Sequence, residues 1–537
     1  MSLVVGGGGS RLWGLVVVGV LVSVSQGRLV EVETVEQRVV EPPRAAGLEG
    51  TKTFRAYDQG QPFLLPPSLN DWLPAEHLAR TIDALVEDTL DLSPILASYV
   101  EERGFPPYDP RMMLKVLLYG YLTGVRSSRK LEAGCVEQVA FRFLAANQTP
   151  DHRSIAKFRK RHLAAFEELF VQVLQIAARA GMVSLGQVAL DGSKVRANAS
   201  RHKAMSYGRM GPRERQLAEE VEALREQAAQ LIADAEAIDA AEDEQFGDAR
   251  GDELPAELAD KQTRLATLRA AKQALEDEAA EAAAEHETAK AARKARRKAE
   301  RQAKAHGADP DEVDAAGDAA EAASEQDPEV AASAEAAAAT AVPKDKAQRN
   351  FTDPDSKIMK TSDKSFHQCY NAQVIVDADH QIIVASQLTN QAADAPALPG
   401  MLDQLAANLG VLPDQLLADA GYFSETNVAH CVDAGVDALI ATGRFKHNDP
   451  PPPAPRGPIP KGATVKQKMA RKLSTKPGQA GYARRKAIVE PVFGQMHTRQ
   501  NAGQVRLRGL DAAAGEHRLH ALVHNILKIF TADTAPA

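Results

Sequence analysis

The 537-residue sequence predicts an α+β protein built from a helical N-terminal part, a long helical insert, and an α/β part that brackets the insert. Three observations lead there. Residues 68–182 carry apolar side chains at helical spacing. Residues 205–345 are rich in Ala, Glu, Lys and Arg along a leucine seam, the composition of long packed helices. From residue 346 onward β-branched runs alternate with helical stretches. The boundaries follow: 1–51 as an unstructured or displaced start, 52–182 as the helical part, 183–204 with 346–530 as the α/β core, 205–345 as the insert, and 531–537 as a tail.

Composition narrows the class. Apolar residues make up 44% and charged residues 25%, ordinary for a globular chain. Cys135, Cys369 and Cys431 lie far apart without a CxxC pair, which argues against a disulfide framework and a cysteine zinc site and fits a reducing, cytoplasmic setting. The net charge of −8 conceals an uneven distribution. Residues 211–340 hold 16 Lys and Arg against 33 Asp and Glu, whereas residues 442–530 hold 17 against 4. A basic segment of that strength suggests a polyanionic partner.

Near the N-terminus, "RLWGLVVVGVLVSVSQG" has the short apolar run and small residues of a signal peptide. It is too short to predict a membrane span. The favoured reading is a start placed upstream of the working one, with the working protein opening near "KTFRAYDQGQPFLLPPSL". In the helical part, Ser68 and Asn70 are cap candidates, and Pro110 marks a first helical turn. Thr149-Pro150-Asp151 opens a helix crowded with Arg153, Lys157, Arg159, Lys160 and Arg161. This is either a helix presented to DNA by a helix–turn–helix unit or the solvated face of a bundle.

Within the insert, two helical stretches predict an antiparallel hairpin or coiled coil turning at "GDARGDELP". The segment 307–343 lacks a periodic apolar face and predicts an unstructured linker. "ARKARRKAER" reads as a charged, solvated helix with nucleic-acid contact as the alternative. Further on, Asp377-Ala378-Asp379-His380 separates two β-branched runs and predicts a hairpin, and a helix should end at Gly410. Two short apolar strands follow, then the irregular "DPPPPAPRGPIPKG" and two last helices.

Two apolar runs stop at an aspartate before a small residue: Asp191 in "VALDGSKVRANAS" and Asp419 in "LLADAGYFSETN". Asp-Gly is also a common turn dipeptide. If the strands are parallel neighbours, the two carboxylates lie about 5 Å apart, at the sheet edge where α/β sites form. Carboxylates that close need a shared proton or a cation, and Mg²⁺ suits such oxygen ligands. Glu490, the single acid between Asp449 and Asp511, lies among Arg484, Arg485, Lys486 and Arg499 and is either an ion-pair partner or a third ligand.

Together "LDGSKVRANAS", "MKTSDKSFHQCYNAQVIVDADHQIIVA", "LLADAGYFSETN" and "VEPVFGQMHTRQNAGQVRLRGLDAAAGEHRLHALVHNILKI" resemble the DDE transposases of bacterial insertion sequences, and the stretch around "PDHRSIAKFRKRH" resembles their N-terminal domain. The resemblance implies an RNase H-like mixed-sheet catalytic core with Asp191, Asp419 and Glu490 as catalytic metal ligands for two Mg²⁺ ions, Mn²⁺ substituting. It implies DNA as partner, both the element's terminal inverted repeats and the target. A homodimer or higher assembly in the synaptic complex, and a nucleoid-associated protein without membrane contact, are part of the same expectation. Lys194, Arg196, Tyr482, Arg485, His497 and Arg499 join the basic helix as expected DNA contacts. His497 stands where relatives carry lysine, and Arg485 is one residue further from the Glu than the common spacing. Two rival expectations are a nuclease of the same fold that does not join DNA, and an inactive copy acting through its helical insert.

Overall fold

A computed structural model describes residues 68–99, 107–200, 203–242, 256–443, 456–460 and 462–533, plus a two-residue ribbon pairing Val24–Ser25 with Arg28–Leu29. Other expectations for residues 1–67, for the turn at 243–255 and for most of the proline-rich segment lie outside the described residues. Chain contacts separate residues 1–66 from a unit spanning 67–537. No helix among the described residues is long and apolar enough to cross a membrane.

The N-terminal part is helical throughout: α1 (Leu69–Trp72), α2 (Leu78–Ala84), α3 (Ser93–Leu96), α4 (Pro110–Leu122), α5 (Ser128–Glu137), α6 (Val139–Leu144), α7 (His152–Arg161) and α8 (Ala165–Arg179). Local chemistry sets the starts. Ser68 and Asp71 form a capping box, Asp109 caps α4 ahead of Pro110, and Asp151 accepts from the Arg153 and Ser154 amides.

The main sheet comprises β1 (Gln187–Arg196), β4 (Lys357–Lys360), β5 (Phe366–Asp377), β6 (Ile383–Thr389), β7 (Gln415–Ala418) and β8 (Asp437–Ile440). A separate small ribbon pairs β2 (Ala204–Ser206) with β3 (Gln348–Asn350). Across the main sheet the order is β6, β5, β1, β7, β8, with β4 sharing β5's outer edge with β6. β1 runs antiparallel to β5 and parallel to β7, and β7 is parallel to β8, so the sheet is mixed as expected. The hairpin at Asp377 and the helix stop at Gly410, whose φ is +75°, both form.

Around this sheet lie α13 (Ala397–Leu409), α14 (Glu425–Asp433), α15 (Val465–Leu473), α16 (Lys476–Ala483), α17 (Arg485–Thr498) and α18 (Leu510–Asp533). The single last-but-one helix expected from sequence is thus broken at Arg484 into α16 and α17. The boundary expected at residue 182 is not a packing boundary. Phe170, Val173 and Leu174 of α8, Leu522, Val523 and Ile526 of α18, and Val188–Leu190 of β1 belong to one continuous apolar core. Charge reinforces the joint: Glu516 of α18, fully buried, accepts from the Tyr121 hydroxyl, from Arg126 at 3.4 Å, and from the Arg506 and Leu507 amides.

Two long helices form the insert, α9 (Tyr207–Glu242) and α10 (Ala256–Ala305). They run antiparallel: Leu217 and Val221 meet Leu265, while Met210 meets Leu268, Ala271 and Leu275. The expected unstructured linker is instead helical, as α11 (Pro310–Glu325) and α12 (Pro328–Thr340). Asp309 and Glu312 make a capping box, proline occupies the first turn of each helix, and alanine-rich sequence favours the helical state even where the apolar face is thin. Val313 and Ala334 are buried, and Arg296 of α10 pairs with Asp318 and Glu321 of α11.

Candidate active site

β1 does not end at Asp191; it continues to Arg196 against β5. Its pairing with β7 ends at Leu190 opposite Ala418, so Asp191 and Asp419 are the next residues of two adjacent parallel strands where the strands part. Neighbouring strands lie about 4.8 Å apart, which puts the two carboxylates side by side at the sheet's carboxyl edge.

Each carboxylate is oriented locally. Asp191 Oδ1 accepts from the Gly192 amide at 2.9 Å and Asp419 Oδ1 from the Gly421 amide at 2.7 Å. Gly192 sits close under Gln373: a Cβ there would approach Nε2 to 2.6 Å and displace that amide from Asp394. Arg485, the first residue of α17, places Nη1 2.8 Å from Asp191 Oδ2. Burial pushes the Asp191 carboxyl upward; Arg485 opposes this and Asp419 adds to it, leaving it above its ordinary value. Burial draws the Arg485 guanidinium down, but Asp191, Tyr482 and Asp419 together outweigh it and the group is held above its usual value.

The structure adds an acid that sequence reasoning missed. Asp394 Oδ1 accepts from Asn371 Nδ2 at 2.7 Å, Gln373 Nε2 at 3.0 Å and Lys194 Nζ at 3.0 Å. A Cβ on Gly421 would sit 3.0 Å from Asp419 Oδ1 and 3.1 Å from Asp394 Oδ2, so these two carboxylates flank one point. Tyr422 donates to Gln373 Oε1, and burial with the charges of Asp394, Asp191 and Asp419 raises its hydroxyl well above the usual range. One signal was available: Asn371 and Gln373, both fully buried, are polar residues at period two beside the apolar run Val374–Val376, and such groups need partners.

Glu490 is not brought into ligand spacing with the aspartates. It is exposed on α17, five residues beyond Arg485, or about 7.5 Å along the axis. Among the described residues no group of three or more His, Cys, Asp or Glu is spaced to hold a metal ion. The helix itself is firmly tied. Pro491 cannot donate to the Ala487 carbonyl, and Gln381 Nε2 takes that carbonyl at 3.0 Å. Gln381 also accepts from His524 and Lys528 of α18, linking the β5–β6 turn to both helices. The oxygen donors of Asp191 and Asp419 fit one hard divalent cation, and the Arg485 guanidinium marks where positive charge is favoured.

The expected DNA contacts divide. Arg153, Lys157 and Lys160 are exposed at i, i+4 and i+7 on α7, and Arg161 is exposed with its guanidinium over the Tyr99 ring at 4.6 Å. Arg159 is the correction: it is buried, donating to Tyr121 Oη at 3.2 Å and the Arg126 carbonyl at 2.9 Å, because its place on α7 turns it into the core. Lys194 is engaged by Asp394, and Arg196 by Asp363 at 3.2 Å. Tyr482 is half-buried beside Arg485, with burial raising its hydroxyl. Arg499 is exposed, whereas His497 is half-buried and burial lowers its pKa, so it carries little charge at neutral pH.

The chain matches the family model of a transposase domain (DUF772) at residues 67–161 and that of the transposase DDE domain at residues 339–526, together more than half of its length. The second match contains Asp419 and Glu490 and begins at the end of the insert, in the last turn of α12, leaving Asp191 upstream of it. No curated protein and no solved structure matches the chain.

Proposed function

Because the chain belongs to the DDE transposases of insertion sequences, we propose that Asp191 and Asp419 form the centre at which it cuts DNA and joins the ends, with Glu490 as the third acid. The observation that carries this reading is the parallel β1–β7 register, which delivers both aspartates to one edge. The sheet order and its antiparallel-then-parallel sense support an RNase H-like core. Asp191 and Asp419 would hold a divalent cation, Mg²⁺ or its substitute Mn²⁺, and Glu490 would be the acid offered to a second. Such ions activate an attacking water or 3′-hydroxyl and steady the leaving oxygen.

The chain's own residues prepare the site. Asp394 holds Lys194 beside the aspartates, where its ammonium can meet a phosphate oxygen. Arg485 neutralises Asp191 until substrate arrives and then turns to the DNA backbone. Arg153, Lys157 and Lys160 supply phosphate contacts from α7, the basis for assigning DNA binding to the N-terminal helices. Two ends cut by two centres make a dimer or higher assembly the expected working form.

The test uses the full chain and a labelled duplex spanning the element's end. Divalent-ion-dependent nicking at the boundary, abolished in Asp191→Asn and Asp419→Asn, is the expected result; nicking that survives both substitutions sinks the assignment. Appearance of a strand-transfer product separates a transposase from a nuclease that only cuts.

A further inference from the structure

We infer that the outer face of α10 is a second DNA-contact surface, a cationic stripe that takes the phosphate backbone of duplex DNA. Lys290, Arg293, Lys294, Arg297, Arg301 and Lys304 are all exposed, and their spacing of three and four aligns them along one side of the helix. At about 1.5 Å per residue the stripe runs for roughly 21 Å, equivalent to about six base steps of 3.4 Å.

Charge on the insert is sorted rather than interleaved. Lys290 opens the stripe paired with Glu287 at 3.0 Å, and beyond it the single acid up to Lys304 is Glu300, which is taken by Arg296 at 3.0 Å. Arg296 also takes Asp318 and Glu321 of α11. The helices α11 and α12 carry eight acids and no Lys or Arg, and they pack on the opposite face of α10, where Ala292 is buried. Earlier in α10 cations are matched: Arg264 with Asp260 at 2.7 Å, and Arg269 and Lys272 with Glu214 at 3.0 Å. Like charges at i and i+4, as in Arg293–Arg297 and Arg297–Arg301, oppose helix formation. The stripe is therefore kept against the helix's own preference, and a polyanion laid along it removes that repulsion. The choice of DNA as the polyanion rests on the transposase reading.

The experiment measures affinity of the full chain for a random-sequence duplex across a salt series. The variant R293Q/K294Q/R297Q/R301Q should lower the slope of log K against log salt by about three and weaken binding at least about tenfold near 0.1 M salt. The charge-preserving R293K/R297K/R301K should bind as the parent does. Unchanged affinity and slope in the glutamine variant overturns the proposal, as does equal loss in the lysine variant, or loss confined to duplex RNA. The readout is affinity and its salt slope alone, so a failure of the cleavage assignment is read separately from a failure of this one.

Discussion

Arg126–Glu516 and Arg485–Asp191 pair the same chemical groups in opposite settings. Glu516 is fully buried and saturated, with the Tyr121 hydroxyl, the Arg126 guanidinium and two backbone amides around it. Asp191 is only partly covered, has one amide and one guanidinium, and stands beside a second carboxylate. A sealed pair has nothing further to bind and fixes α4 to α18. An unsealed pair next to a like charge is costly unless a cation or a phosphate enters. The difference teaches where the molecule is built to hold and where it is built to react.

Breaking the open pair should have the largest effect. Asp191→Asn is expected to reduce end cleavage by about 10³-fold or more, in the range for losing a group that stabilises transition-state charge. Stability should change little, because Asp419 remains close to Arg485; quantified nicking alongside urea unfolding checks both halves. Next comes the sealed pair. Glu516→Ala leaves Arg126 buried without its carboxylate and should cost about 3–5 kcal/mol of folding stability. A loss under about 1 kcal/mol in denaturant unfolding would show that the joint is held by apolar packing alone.

A finer test asks whether Asp394 acts through Lys194. Asp394→Asn should slow cleavage by about 10–100-fold, the scale of losing an orienting partner, with duplex affinity unchanged. An equal fall in affinity would make the residue structural instead. The smallest effect concerns the sealed side and pH. Burial lowers His517 and His524 of α18 from 6.5 to about 4, so both are neutral in the native state. Their unfolded forms take up protons first, so the stability they allow is full above about pH 6.5 and is lost as pH falls toward 4. Melting temperature should therefore decline through that window, and more shallowly in H517N/H524Q.

Much of the chain's organisation was legible locally. The cap at Ser68, the first turn at Pro110, the start at Asp151, the hairpin at Asp377 and the stop at Gly410 depend on residues within a few positions of one another. The aspartates at Asp191 and Asp419 were visible as interruptions of apolar runs. The linker was misread because alanine-rich helices reveal themselves through propensity and capping rather than through a strong apolar stripe.

What the sequence by itself determined is the identity and phase of the elements with a clear apolar pattern and the presence of acids where apolar runs give out. Tertiary structure decided which of them meet. The parallel partnership of β1 and β7 joins residues 228 positions apart, and Tyr121 meets Glu516 across 395. Arg159 turned inward and Asp394 entered the site through contacts with elements remote in the chain. Local pattern reports which face of an element is apolar; only the closing of one shared core fixes what that face, and the charges beside it, will touch.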